Sequence, residues 1–261
     1  MKTYVGGIIM RRKPSLSVED RLLSTKLRQM KLSGMADAFE RQMQDPNADL
    51  SSFEDRITEI IEAEWQLRYN KKFNRYLKMA KLRYPAADLD ETIYLPERKL
   101  NTQVIEKLNE CEWIDEGKNL LITGLTSSGK TYLSNALCIS AMRQFKTVRY
   151  IRANILIGEL EQARIKNTYW DYLNKLSKID LLAIDDFGLM DLDLDKCRDL
   201  FEVIDGRDGH RSTIIISQLP VKSWFDMFAD STYADACLAR ITDKKRSFRL
   251  EMNGKSMREP V

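Results

Sequence analysis

The sequence predicts an α/β fold in which a parallel sheet is covered on both faces by helices and is preceded by a small all-helical region. Three observations carry this reading. From Asn119 onward, short apolar segments alternate with helix-length segments, the order that sets strands in parallel with helices crossing between them. Two of the apolar segments, Leu181–Ile184 and Ile214–Ile216, are continuous, as suits strands buried on both faces. Before Tyr84 there is no such alternation, only apolar residues at helical spacing.

Residues 1–16 show no clear period and contain Gly6, Gly7 and Pro14, so they are expected to form a mobile basic arm. From Val18, residues Leu23, Leu27 and Met30, then Met35, Ala38, Phe39 and Met43, predict two short helices separated near Ser33-Gly34. Asp45-Pro46-Asn47 is a break. Ser51 and Glu54 have the S-x-x-E capping form and open a helix carrying Phe53, Ile57, Ile60, Ile61 and Trp65. Residues 17–84 are therefore expected as a helical DNA- or partner-binding domain. Residues 85–98, with Pro85 and Pro96, are expected as a linker, and 99–261 as the α/β domain. In that domain strands are expected at 119–123, 148–151, 181–184, 213–217 and 248–251, with helices at 130–143, 154–164 and 196–207.

Composition removes several kinds of chemistry. The 261 residues include a single histidine, His210, which leaves almost nothing for a histidine metal site or a Ser-His-Asp triad. Cys111, Cys138, Cys197 and Cys237 form no C-x-x-C pair and read as reduced thiols. No apolar run approaches the roughly 18 residues of a membrane span. The basic cluster ends rather than begins the segment 1–13, unlike a signal peptide, so a cytoplasmic protein without membrane contact is expected. The net charge of +3 is unevenly spread, with 17 Lys+Arg against 11 Asp+Glu up to Ala87 and 25 against 28 beyond it. That asymmetry suits a polyanion handled from the amino-terminal part.

On the helix beyond Trp65, residues Arg68, Lys71, Lys72, Arg75 and Lys78 stay on one stripe, while Tyr69, Phe73, Tyr76 and Leu77 form another. Phosphates are the natural partner of such a stripe. The alternative is a solvated basic face whose aromatics pack on a neighbour.

Gly124-Leu125-Thr126-Ser127-Ser128-Gly129-Lys130-Thr131 matches the G-x-x-x-x-G-K-[ST] phosphate loop, follows the strand at 119–123 and opens the next helix at Tyr132. The spacing lets successive N–H groups point at phosphates while a helix terminus adds its dipole. Lys130 is expected to neutralise the β- and γ-phosphates of ATP, and the Thr131 hydroxyl to take a place on Mg²⁺. The strand Leu181–Ile184 runs into Asp185 and Asp186, and such a strand is expected to bring its carboxylates to nucleotide held on the neighbouring strand's loop. Asp185 is expected to hold Mg²⁺ and Asp186 to polarise the attacking water.

The segments GLTSSGKT, LLAIDDFG, RSTIIISQLP, ADACLAR and GKSMR resemble the IstB family of insertion-sequence helper ATPases, and the likeness spans about residues 20–260. It implies an AAA+ domain related to the DnaC loaders and DnaA initiators, a homo-oligomer built around DNA, expected to be double-stranded, and cooperation with a transposase encoded nearby. Carried over, Ser217 and Gln218 match the polar sensor that orients the attacking water. Arg240, near the end of a helix starting about Thr232, matches the arginine finger, and Arg258 matches a family arginine with no assigned role. About ten residues follow the last expected strand, too few for the helical lid of many AAA+ proteins, so the nucleotide is expected to be more open. Two departures stand out, Ser127 where many relatives have Gly and Asp186 where many AAA+ proteins have Glu. They favour weak or DNA-stimulated hydrolysis.

Two functions stay open, a transposition helper and a replicative helicase loader, since both use the same ATPase core. Arg152 and Lys166, with Arg149 and Arg164, are further candidates for DNA contact.

Overall fold

The computed structural model describes residues 15–92, 94, 98, 100–190 and 192–253. The chain divides into two compact units between Lys72 and Phe73.

The first unit holds α1 (Val18–Gln29), α2 (Ser33–Met43) and the greater part of α3 (Phe53–Ala80). A capping box opens α1: Ser17 Oγ accepts the Asp20 N–H and Asp20 Oδ2 accepts the Ser17 N–H, each at 3.0 Å. The start of α2 has no such cap of its own. Glu64 of α3 replaces it, accepting from Gly34 N at 2.7 Å and Met35 N at 3.3 Å, so a negative charge meets the positive end of α2. This approach needs glycine, because a Cβ at Gly34 would lie 2.7 Å from Ala63 O. The expected break at Ser33-Gly34 is thus the beginning of the second helix. At α3 the capping pair is one residue later than expected. Ser52 Oγ accepts the Asp55 N–H at 3.1 Å and donates to Asp55 Oδ2 at 2.8 Å. Both serines precede an acid by three residues, and the chain uses the second.

The second unit adds α4 (Thr102–Asn109), α5 (Glu112–Asp115), β1 (Asn119–Gly124), α6 (Lys130–Arg143), β2 (Val148–Arg152), α7 (Ala153–Ile165) and α8 (Tyr169–Lys178). It continues through β3 (Leu181–Phe187), α9 (Leu194–Asp205), β4 (Ser212–Ser217), α10 (Ser231–Thr242) and β5 (Ser247–Met252). The five strands are parallel in the order β2-β3-β4-β1-β5. Successive strand residues face opposite sides. Leu120, Ile122, Ala183 and Ile214 pack with α4, α5 and α6, while Leu121, Leu182, Ile184 and Ile215 pack with α7, α8, α9 and α10. This two-sided burial explains the continuous apolar runs.

One cation lies wholly within the second layer. Arg207 is 1% exposed; its Nε donates to Thr213 Oγ1 at 3.2 Å, Nη2 to Ser212 O at 2.6 Å, and Nη1 to Leu176 O and, at 2.9 Å, to Ile179 O. It ties the end of α8 to the starts of β3 and β4, and burial pushes its pKa down. Arg207→Ala leaves these acceptors buried without their donor, an expected loss of about 3–5 kcal/mol and a melting midpoint lower by roughly 10 °C. Calorimetry checks this, and a shift below about 2 °C would contradict the clamp.

Candidate nucleotide site

The loop after β1 is shaped by three positive φ angles. Gly124 has φ +143°, and a Cβ there would lie 2.0 Å from Met252 O on β5, so only glycine lets the strand turn beside its neighbour. Ser127 sits at φ +62°, the left-handed position that the sequence expected to suit glycine better, and Gly129 at φ +90° begins α6. Lys130 is 7% exposed and turns back on the loop, donating Nζ to Gly124 O at 2.8 Å and Leu125 O at 2.6 Å. Burial holds its pKa below the usual lysine value, against the pull of Asp185 and Asp186. Buried Arg98 braces the loop, donating Nη2 to Ser128 O at 3.0 Å.

The acidic end of β3 meets this loop, but not as the neighbouring strand that the sequence suggested. β4 lies between β1 and β3, an order that the linear sequence does not reveal. The carboxylates still arrive, because the β3–β4 register shifts between Ile184 and Phe187 and Asp186 takes φ +55°, a bulge that redirects both side chains. Asp185 is 2% exposed; its Oδ1 accepts from Asp186 N at 2.8 Å, while Oδ2 accepts from Thr131 Oγ1 at 2.8 Å and Tyr150 Oη at 2.6 Å. Burial, then Asp185, push the Asp186 carboxyl upward, with Arg152, Arg83 and Lys130 opposing. After β4, Gln218 Oε1 accepts from Thr126 Oγ1 at 2.6 Å. Ser217 Oγ donates to Phe187 O at 2.6 Å and accepts from Leu219 N at 3.0 Å, so its hydroxyl is committed to joining the ends of β3 and β4.

These parts enclose one cavity of about 440 Å³. Thr126, Ser127, Gly129, Lys130, Thr131 and Tyr132 line one side; Asp185, Asp186, Ser217 and Gln218 line another. The Leu125 side chain points outward, 66% exposed. Tyr132 reaches the segment after α3, where its hydroxyl bonds Glu91 and accepts from Asp88 N at 3.2 Å.

A model of IstB-like ATP binding proteins matches residues 25–260 of this chain. The chain belongs to the IstB-like family. An insertion-sequence ATP-binding protein of Sinorhizobium fredii, y4uH, is 37% identical over 89% of this chain and 92% of its own. The insertion sequence IS1162 ATP-binding protein of Pseudomonas fluorescens is 38% identical over 75% and 85% respectively. Among solved structures, the DnaC helicase loader superposes with a TM-score of 0.54 at 18% identity, covering 66% of this chain and 99% of that one. The replication initiator DnaA bound to AMPPCP and single-stranded DNA gives 0.54 at 18%, covering 66% and 51%. The fold is thus that of AAA+ P-loop domains.

Other expected site residues of this IstB-like chain lie outside the cavity. Arg240 sits near the end of α10, where Nη2 pairs with Asp205 at 2.7 Å, Nη1 donates to Ala236 O at 2.9 Å, and the guanidinium lies 4.9 Å from the Phe201 ring centre. On α3, Lys71, Arg75 and Lys78 are exposed and Lys72 is half-buried; Arg68 is exposed too but bonds Glu64 at 2.6 Å. Phe73, Tyr76 and Leu77 pack on the core of the second unit, as the alternative for the aromatic stripe anticipated. Arg149 pairs with Glu159 and Arg164 with Asp199, whereas Arg152 and Lys166 are exposed. Arg258 lies outside the described residues. Sequence reasoning missed Tyr150, Arg83 and Arg98, since a tyrosine inside a strand, an arginine closing a basic run and an arginine in the expected linker carry no motif.

Proposed function

We propose that this chain is an ATP-hydrolysing, DNA-binding helper of transposition, working in the cytoplasm, which assembles with copies of itself on double-stranded DNA and engages a transposase. The observation that carries the ATPase half is the 2.8 Å hydrogen bond from Thr131 Oγ1 to Asp185 Oδ2, which draws the loop and the acidic strand end, 54 positions apart, into one cavity. Lys130 faces phosphate charge there. Thr131 and Asp185 are hard oxygen donors, the set that suits Mg²⁺ when phosphates and water complete its shell, and they would hold it. Bound there, Mg²⁺ would offset charge on the phosphate oxygens. Asp186 orients the attacking water and takes its proton, a task helped by the upward push on its carboxyl. Gln218, held over Thr126, helps orient the attacking water, and Ser217 fixes the strand end that carries it.

The transposition half rests on relatives that are named as insertion-sequence ATP-binding proteins. The helicase-loader alternative has only a likeness of fold, at 18% identity to DnaC. DNA meets the exposed cations of α3, and Arg240 completes the site of a neighbouring copy. Its pair with Asp205 is partly exposed at both ends, 30% and 46%, and such pairs are worth about 0–1 kcal/mol, so a phosphate can displace the carboxylate. Arg240→Ala and Lys130→Ala subunits, each inactive alone, are therefore expected to regain ATP hydrolysis when mixed. No recovery at any ratio, with assembly verified by light scattering, sinks the trans finger.

A further inference from the structure

We infer that Arg83 is a nucleotide-binding residue that contacts the terminal phosphate end of the triphosphate from within the same subunit. This rests on the reading of the cavity as an ATP site and adds a cation that no loop or strand motif supplies.

Arg83 follows the last residue of α3 by three positions and lines the cavity together with Lys130, Thr131, Asp185, Asp186 and Gln218. Its placement is fixed by its neighbour. Tyr84 N donates to Asn135 Oδ1 at 2.8 Å, and Asn135, on α6, is fully buried, so the backbone carrying Arg83 is pinned to the helix that begins with Lys130. Among the described residues no carboxylate forms an ion pair with Arg83, whose guanidinium carbon lies 5.7 Å from the centre of the Tyr84 ring. Arg98 also lines the cavity, but one arm of its guanidinium is bonded to Ser128 O.

Arg83 shares the cavity lining with the carboxylates of Asp185 and Asp186 and the Thr131 hydroxyl. Thr131 is bonded to Asp185 at 2.8 Å, and these groups mark the end of the cavity where the last phosphate and its metal belong. A guanidinium there distinguishes ATP from ADP by the extra phosphate charge.

The test measures binding of a non-hydrolysable ATP analogue and of ADP to the full chain with Mg²⁺, for the wild type, Arg83→Ala, Arg83→Lys, Lys130→Ala and Lys107→Ala. Lys107, exposed on α4 and outside the cavity lining, controls for the loss of one positive charge. Arg83→Ala is expected to weaken the analogue by about tenfold or more and ADP by less than about threefold, with Arg83→Lys intermediate and Lys107→Ala unchanged. If Arg83→Ala leaves the analogue within about twofold, or lowers the analogue and ADP equally while Lys130→Ala still loses both, the inference is overturned and the ATP site stands. If Lys130→Ala also keeps its affinity, the ATP-site reading falls and Arg83 with it. Should Arg83→Ala not fold, Arg83→Lys decides alone, since unchanged discrimination between analogue and ADP together with lost melting stability marks a structural role.

Discussion

Lys130→Ala is expected to weaken ATP binding at least about hundredfold, because two charge-assisted contacts to phosphate, at about 1.5–3 kcal/mol each, disappear together. The fold is expected to survive. The Lys130 ammonium is buried among loop carbonyls, Gly124 O and Leu125 O, rather than among the apolar side chains on either side of the sheet. Burial disfavours the charge and holds its pKa below the usual lysine value. Truncation therefore removes an awkward cation as well as two hydrogen bonds, and the two effects oppose each other in stability. Titration with a fluorescent ATP analogue, beside a circular-dichroism melt, checks both statements; affinity retained within about twofold would contradict the loop assignment.

Asp186→Asn is expected to leave ATP affinity nearly intact and to lower hydrolysis by about 10²–10⁴-fold, the usual worth of a positioned general base. Asparagine is the informative replacement. Asp186 stands at φ +55°, where Asn is tolerated and Ala is strained, so the amide removes the charge and keeps the bulge. Asp185→Asn differs, since Asp185 ties together Thr131, Tyr150 and the Asp186 N–H and its loss disturbs binding as well. Phosphate release measured beside nucleotide affinity separates the two. Turnover equal to wild type in Asp186→Asn removes that carboxylate from the mechanism.

The loop and its strand and helix were legible because G-x-x-x-x-G-K-[ST] constrains backbone and chemistry together, and the positive φ of Ser127 was foreseeable from the same pattern. The apolar runs located β3 and β4 for a similar reason: burial on both faces leaves no polar interruption. Strand order was not legible, since nothing local in Leu181–Ile184 or Ile214–Ile216 says that β4 lies between β1 and β3. α8 was missed because its break from α7 is made by Asn167 at φ +54° rather than by glycine or proline. The commitment of the Ser217 hydroxyl and the pairing of Arg240 with Asp205 depend on partners 30 and 35 positions away, a separation no helical or strand period encodes. Arg83 was hidden by its company: beside Lys78 and Lys81 it reads as one more surface cation.

We propose that ATP drives this IstB-like chain onto DNA through exposed cations on α3. Fluorescence anisotropy of double-stranded DNA of unrelated sequences, titrated at several salt concentrations with ATP analogue or with ADP, tests it most directly. Tighter binding with the ATP analogue and a steep fall with salt are expected, since each phosphate contact releases counterion and an assembly repeats the contact. The combined Lys71→Ala, Lys72→Ala and Arg75→Ala variant is expected to bind every sequence more weakly with a flatter salt slope, at unchanged nucleotide affinity. DNA affinity indifferent to nucleotide, together with a wild-type slope in that variant, would contradict it and move the search for DNA contacts to Arg152 and Lys166.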